Sequence, residues 1–150
     1  MPSGDWIADS ARMATSAPPT FEQLDRSQCL ELLATSRFGR FGTTLDAMPA
    51  VLPVNFGLLD DDVLVRTTPG TRLDAAVTNR VVAFEVDWYS EDSKKGWSVQ
   101  LRGVASEITD LAELAEADAV GIYHMALPGV PKRYLRISTI DMTGRRFDHS

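Results

Sequence analysis

The residues best suited to chemistry in this chain lie between Val65 and Leu73, where an apolar run meets a short amphipathic one. Two guanidinium groups, three hydroxyl groups and a glycine turn stand in this segment. If it forms a strand end, a turn and a helix start, its free backbone N–H groups and the helix dipole favour an anion. Arginine adds bidentate phosphate contacts. The candidate ligands are Arg66, Thr67, Thr68, Thr71 and Arg72. The alternative is an ordinary polar connection between two elements.

A second candidate is Trp97 with Ser98, in an alternating segment that begins at Gly96. Alternation places Trp97 on an apolar face and Ser98 on a polar face. The indole is either a core residue or a platform for a planar ligand, with the hydroxyl of Ser98 as a hydrogen-bond donor. Gly103, in the same segment, predicts a β-bulge or the close approach of another backbone.

The third candidate is the run Pro53, Val54 and Asn55. Proline cannot donate to a strand ladder, so Pro53 inside a β run predicts an edge strand or a strand that lines a cleft. Backbone groups freed at such a position are suited to hydrogen bonding with a heteroaromatic ring.

Other reaction chemistries find little support in the sequence. Glu85 and Asp87 are spaced for an acid/base pair, but this pattern more often marks a solvent face or salt-bridge partners. Cys29 lies on the apolar side of a predicted helix, which favours a buried small hydrophobic residue over a reactive thiol. There is no Gly-x-Ser-x-Gly motif, and one cysteine with two histidines makes a zinc site improbable. We therefore predict no metal and no dedicated catalytic side chain.

Composition limits the class of protein. The chain has 150 residues, enough for one domain with a tail, and its formal net charge of -6 argues against a nucleic-acid partner. A single cysteine is typical of the reducing cytoplasm. No apolar run approaches the roughly 18 residues of a membrane span. These features predict a cytoplasmic protein without a membrane partner.

Periodicity predicts a flexible N-terminal arm over residues 1–20 and one folded domain over residues 21–150. A helix follows Leu24 with Asp25 or Ser27 as its cap, and two more helices fit Thr71–Asn79 and Leu111–Ala119. The candidate strands are Arg40–Leu45, Ala50–Leu59, Val63–Thr67, Val81–Trp88, Gly96–Thr109, Arg133–Thr139 and Ile140–Phe147. Many strands joined by short turns, with a few helices outside them, predict a mainly β protein, a small barrel with peripheral helices.

Several motifs, in this order, resemble one family. They are LDRSQCLELLATSRFGRFG, PAVLPVNF, VRTTPGTRLDAA, VVAFEVD, GWSVQLRGVASEITD and YLRISTIDMTGRR. Together they resemble the pyridoxamine 5′-phosphate oxidase-like flavin-binding split-barrel proteins, over roughly residues 21–147. The most similar branch contains nitroimidazole-resistance-type proteins and actinobacterial paralogues.

The resemblance implies a six-stranded antiparallel split barrel that forms a homodimer and binds FMN in a groove between two subunits. It implies that Pro53, Val54 and Asn55 lie along the isoalloxazine, and that Trp97 and Ser98 approach the ring from the neighbouring strand. Arg66, Thr67 and Thr68 would continue toward the ribityl phosphate, which Thr71 and Arg72 would clamp. The family more often has Ser and Lys at the last two positions, and Thr and Arg keep the hydroxyl and the charge.

The expected function is a flavin-dependent oxidoreductase that transfers hydride through flavin N5 to an unknown small molecule. Two alternatives stay open. One is a reductase that uses a deazaflavin coenzyme, and the other is a non-catalytic protein that carries flavin or haem. For haem, His124 is the plausible internal axial ligand.

Overall fold

The computed structural model describes residues 18–68, 80–123, 129 and 131–150. Within them the elements are β1 (Thr20–Leu24), α1 (Arg26–Ala34), β2 (Phe38–Leu45), β3 (Met48–Leu59), β4 (Asp62–Thr67), β5 (Arg80–Ser90), β6 (Lys95–Glu107), α2 (Leu111–Val120) and β7 (Arg133–Asp148). The helix predicted over residues 71–79 and most of the predicted N-terminal arm lie outside the described residues.

Six antiparallel strands close into a ring in the order β2, β3, β4, β7, β6 and β5. The ladder between β2 and β5 is short, because only residues 40–42 pair with residues 83–85. One edge of β7 is shared, since residues 133–137 pair with β4 and residues 144–148 pair with β1. The prediction of a mainly β fold, a six-stranded antiparallel split barrel, is confirmed. β1, which begins at the last residue of the predicted arm, was not predicted as a strand.

The C-terminal strand differs from the prediction. The predicted strands Arg133–Thr139 and Ile140–Phe147 are parts of one continuous strand. The alternation is interrupted between them because a register shift between Arg102 and Gly103 of β6 leaves Ile140 opposite no residue of β6. The chain bends at this bulge without ending. A Cβ on Gly103 would collide with the carbonyl oxygen of Ser138, so both predictions for this glycine are confirmed.

Tight turns fix the register of two hairpins. Asp46 and Ala47 have φ values of 50° and 63°, and Asp60 and Asp61 have 48° and 67°. Two-residue loops of this type match the twist of the flanking strands. Pro49, which lies just before the predicted strand Ala50–Leu59, belongs to β3 in the structure, where it pairs with Thr44.

The barrel interior is apolar, and α1 packs its buried residues Cys29 and Leu33 against it. Asp25 caps this helix through a capping box with Gln28, which settles the choice between the two predicted caps. Burial raises the pKa of the Cys29 thiol, and the nearby Asp25 raises it further. The prediction that Cys29 is a buried small hydrophobic residue is confirmed.

The second helix, α2, lies on the outer face of the barrel, over β3, β4 and β7. Its Ala117 joins a second apolar cluster with Leu64 of β4 and Tyr134 of β7. Arg136 of β7 links the helix to the β3–β4 turn, because its guanidinium donates to Asp62 at 2.9 Å and to Glu113 at 3.1 Å. Neither of the two described helices is long and apolar enough to cross a membrane.

Candidate functional site

Two predicted groups of site residues line the same opening in the barrel. Residues 56–59 of β3 pair with residues 62–65 of β4, and the ladder between these strands stops there. Toward its N-terminus β3 continues along β2, while beyond residue 65 β4 continues along β7. The strands therefore separate at Asn55 and Arg66. We call this opening the β3–β4 gap; its margins are Pro53, Val54 and Asn55 on one side and Arg66, Thr67 and Thr68 on the other.

Side chains at the β3–β4 gap point to two faces. Thr67 follows Val65 by two residues and shares the barrel-interior side with Val54, which packs against the core. Arg66 follows Leu64 and shares the outer side with Asn55. One anion can reach both Arg66 and Thr67 only at the end of β4, where the strand finishes at Thr67.

Two polar atoms at the gap have no hydrogen-bond partner among the described residues. They are Nε of Arg66 and Oγ1 of Thr67, and both are buried. Thr67 as a residue is only 5% exposed. A buried donor without an acceptor costs about 1–3 kcal/mol, so such atoms in native proteins usually meet water or a ligand. Both groups can donate to an anionic oxygen, which fits the phosphate predicted from the sequence. Thr71 and Arg72, the remaining predicted phosphate ligands, lie outside the described residues.

A hydrogen-bonded pair that the sequence analysis missed lies beside Arg66. The hydroxyl of Tyr134, which pairs with Arg66 across β4 and β7, donates to Oδ1 of Asp118 at 2.6 Å. Lys132 lies 3.6 Å from the same oxygen. The hydrogen bond from Tyr134 lowers the pKa of Asp118, and the charges of Lys132 and Arg66 lower it further. Burial, followed by Asp118, raises the pKa of Tyr134 to about 12, so its phenol stays protonated and able to donate.

We expect Tyr134→Phe to lower the free energy of unfolding by about 1 kcal/mol, because the substitution removes the hydrogen bond that joins α2 to the sheet. Urea denaturation followed by circular dichroism measures the loss. Tyr89→Phe is the matched control, since Tyr89 is exposed and its ring contact with Phe147 does not need the hydroxyl. Equal stability of the two variants would contradict the role given to the Tyr134–Asp118 bond.

Trp97 and Ser98 lie elsewhere in the barrel. β6 neighbours β5 and β7, and it is not adjacent to β3 or β4. The prediction that Trp97 and Ser98 lie on the strand next to Pro53–Asn55 is therefore wrong for a single chain, because β2 and β5 stand between them. Trp97 packs against the core and also lines an open groove of about 360 Å³ with Trp88 and Thr35.

Within one chain, Ser98 lies far from both margins of the β3–β4 gap. Leu135, next to the partner of Arg66, pairs with Glu107, so Arg66 lies near the C-terminal end of β6. Ser98 lies nine residues before Glu107, which at about 3.3 Å per residue corresponds to roughly 30 Å along the strand. Pro53 and Ser98 share the outer face, three strand spacings and two residues of strand length apart, or roughly 16 Å along the sheet.

Between Pro53 and Ser98 stands an ionic cluster. Arg40 pairs with Pro53 on one side and with Glu85 on the other. Its guanidinium lies 3.8 Å from Oε1 of Glu85 and 3.5 Å from Oδ2 of Asp87. The interpretation of the two carboxylates as salt-bridge partners is confirmed. The pairing with Arg40 was not visible in the sequence, because it depends on the register between β2 and β5.

A separate cleft of about 250 Å³ opens beside β3, between the C-terminal ends of α1 and α2. Its walls are mostly apolar and include Leu33, Phe56 and Ile122, with Ser36 and Tyr123 adding hydroxyl groups. Gly57 borders it, and a Cβ there would collide with Val120. No group of three or more potential metal ligands exists among the described residues.

A six-stranded antiparallel barrel in which two neighbouring strands, here β3 and β4, separate along part of their length is a split barrel. The family model described as pyridoxamine 5′-phosphate oxidase matches residues 25–146. An uncharacterized protein of Mycobacterium tuberculosis is 33% identical over 111 residues, which cover 71% of this chain and 73% of that protein. The chain belongs to the pyridoxamine 5′-phosphate oxidase family, and the resemblance seen in the sequence is confirmed.

Two solved structures are similar to this chain. The FAD binding protein from Mycobacterium smegmatis is 35% identical, with a TM-score of 0.74 over 83% of this chain and 98% of that chain. A Corynebacterium glutamicum protein, described as a candidate pyridoxamine 5′-phosphate oxidase, is 30% identical, with a TM-score of 0.77 over 90% of this chain and 98% of that chain.

Proposed function

We propose that this protein is a cytoplasmic flavin-binding oxidoreductase that holds FMN at the β3–β4 gap. The observation that carries the proposal is the pair of buried, unpartnered donors, Arg66 Nε and Thr67 Oγ1, at the end of β4. The phosphate of FMN supplies the anionic oxygens that these donors lack. The FAD binding protein from Mycobacterium smegmatis, which is 35% identical to this chain, supports the binding of a flavin.

The protein's own groups divide the work of binding. Arg66, Thr67 and Thr68 hold the ribityl phosphate, with Thr71 and Arg72 completing the clamp. Pro53, Val54 and Asn55 border the ring, and Pro53 leaves a backbone position that cannot pair with a neighbouring strand. A bound flavin supplies hydride transfer at N5 to an unknown small molecule, so the chain needs no dedicated acid or base.

A homodimer with the cofactor site at its interface brings the two distant groups together. Trp97 and Ser98 lie too far from Arg66 in one chain to touch the same flavin, so they would come from a second copy. The outer sheet face also exposes apolar side chains, with Val51 71% and Val81 62% exposed. Apolar groups exposed along one sheet face favour self-association.

The cofactor has three alternatives. FAD contains the whole of FMN, so the same residues can hold the FMN half of the FAD that the 35% identical relative binds. A deazaflavin coenzyme also carries a phosphate for Arg66 and Arg72, together with an anionic tail. A non-catalytic carrier of flavin or haem is the last, and its candidate axial ligand His124 lies outside the described residues.

We expect the purified protein to be yellow and to release FMN on denaturation, as measured by visible absorption and by chromatography of the released cofactor. Titration of the cofactor-free protein with FMN, FAD, the deazaflavin and haem ranks the alternatives. Failure of all four to bind more tightly than about a millimolar dissociation constant, ~4 kcal/mol, would overturn the proposal. Release of FAD in place of FMN would keep the flavin assignment and correct the cofactor.

A further inference from the structure

A three-residue ionic group stands in the centre of the outer sheet face. Arg40 of β2 faces two carboxylates on β5, Glu85 and Asp87, at 3.8 Å and 3.5 Å. We call this group the carboxylate cluster. The two carboxylates are two residues apart on one strand and therefore point to the same side. With both ionised, the cluster has a net charge of -1, because one guanidinium faces two carboxylates.

The surroundings of Glu85 favour one retained proton. Its Oε1 atom is buried and has no hydrogen-bond partner among the described residues. Burial, the hydrogen bond to Asp87 and the charge of Asp87 together raise the pKa of Glu85 to about 7, against the opposing charge of Arg40. One proton held between the two carboxylates makes the cluster neutral.

Few other charges act on the carboxylate cluster from the neighbouring strands. β3 presents Pro53 beside Arg40, and β6 presents the neutral Gln100 opposite Glu85 and Ser98 opposite Asp87. Among the described residues, the charged ones on the adjoining part of this face are Arg102 on β6 and Asp141 and Arg145 on β7. Arg102 is bound to Asp141 by hydrogen bonds of 3.1 Å, so this pair is already neutral.

The rest of the face suits contact with a second copy of the chain. Val51 and Val81 are largely exposed on it, and Phe38 at the N-terminal end of β2 is 52% exposed. In a twofold dimer each copy would use the same face, so two carboxylate clusters would lose water together. A neutral cluster loses water at lower cost than one with a net charge.

We propose that the carboxylate cluster makes pairing of two copies through this face depend on pH, with one shared proton per chain favouring the dimer. The inference rests on the homodimer of the proposed function. Because a second copy removes further water from Glu85, the dimer binds protons more tightly than the separated chains do. The dimer is therefore strongest at a pH below the pKa of Glu85 in the separated chain, and it weakens as the pH rises above about 7.

Two clusters per dimer set the size of the effect. Release of up to two protons on dissociation allows the dissociation constant to rise by as much as ~100-fold per pH unit. We expect at least a tenfold rise between about pH 6 and about pH 9, measured by sedimentation on the purified full chain with its cofactor state held constant. If the dimer is too tight to dissociate, the rate of subunit exchange between differently labelled chains replaces the dissociation constant.

Glu85→Gln tests the assignment directly, because glutamine has the shape of the protonated glutamic acid and cannot release a proton to become charged. This variant should dimerise with a dissociation constant that no longer changes with pH. Glu91→Gln is the matched control, since Glu91 is exposed in the β5–β6 turn, and it should keep the pH profile of the natural chain.

The outcomes separate this inference from the proposed function. A dimer whose dissociation and subunit exchange are independent of pH overturns the inference and leaves the dimer intact. A pH profile that survives in Glu85→Gln also overturns it. A chain that stays monomeric at every pH contradicts the homodimer itself, whereas a pH dependence lost only in Glu85→Gln supports both.

Discussion

Replacing Arg66 with glutamine is expected to weaken FMN binding by about ten- to a hundredfold while leaving riboflavin binding nearly unchanged. The two ligands share the ring and the ribityl chain and differ in the phosphate. Arg66 stands at the end of β4 with a buried Nε that has no partner among the described residues. A hydrogen bond to a charged group contributes roughly 1.5–3 kcal/mol, which sets the size of the expected loss. Quenching of flavin fluorescence during titration measures both affinities.

Arg80→Gln is the control for this experiment. It makes the same change of charge at an exposed residue at the start of β5, so it should leave both affinities near their natural values. Arg72→Ala tests the part of the clamp inferred from the sequence, with the same expected preference for riboflavin over FMN. If Arg66→Gln weakened FMN and riboflavin equally, Arg66 would not be a phosphate ligand.

Local patterns were enough to predict most strands and the nature of the barrel. Within the predicted strand Val63–Thr67, alternation is enough to put Val63 and Val65 on one face and Leu64 on the other; in the structure the two valines lie in the barrel interior and Leu64 lies beneath α2. Asp25 was recognised as a cap because short polar side chains before an apolar helix have that role. These features depend on neighbours a few residues away, which a single sequence displays.

Features set by distant pairing were missed. β1 exists because residues 20–24 find an edge on β7 more than a hundred residues later, and nothing in its short polar sequence marks that edge. β7 was divided at Ile140 because a bulge interrupts the alternation, while its long ladder with β6 keeps it continuous. A sequence shows the interruption, but only the partner strand shows that pairing resumes.

The candidate site also contains features that local sequence shows and features that depend on distant strand pairing. The proposed phosphate ligands stand in one short segment of the sequence, so their spacing was enough to suggest them. The β3–β4 gap arises because β3 and β4 separate and pair with different neighbouring strands. The carboxylate cluster depends on the three cross-strand pairs between β2 and β5. Trp97 was assigned to the wrong neighbour because strand order around a barrel is not encoded in any one strand.

The second large effect concerns Gly103 of β6, which lies opposite the bulge at Ile140 of β7. We expect Gly103→Ala to lower the free energy of unfolding by about 3 kcal/mol, a large part of the stability of a single domain. An added Cβ would collide with the carbonyl oxygen of Ser138 and lie 2.7 Å from Cγ2 of Ile137. A carbonyl within a paired strand cannot turn aside as a flexible side chain can, so the two strands must separate locally.

Gly42→Ala is the matched control, because Gly42 also lies within a barrel strand and its added Cβ would approach the Ala83 side chain at 3.3 Å. That contact can be relieved by a small movement, so its stability should stay within about 1 kcal/mol of the natural chain. Urea denaturation at low protein concentration measures both free energies of unfolding. If the slope of the unfolding free energy against urea concentration is the same in both variants, the two values can be compared directly.

The Gly103→Ala substitution should also affect the cofactor site. Since Ile137 and Val104 belong to the same β6–β7 ladder, local separation there also loosens the strand that carries Tyr134 beside Arg66. Gly103→Ala should therefore weaken FMN as well, and normal stability with normal FMN affinity would show that β6 and β7 are not in close backbone contact at this bulge.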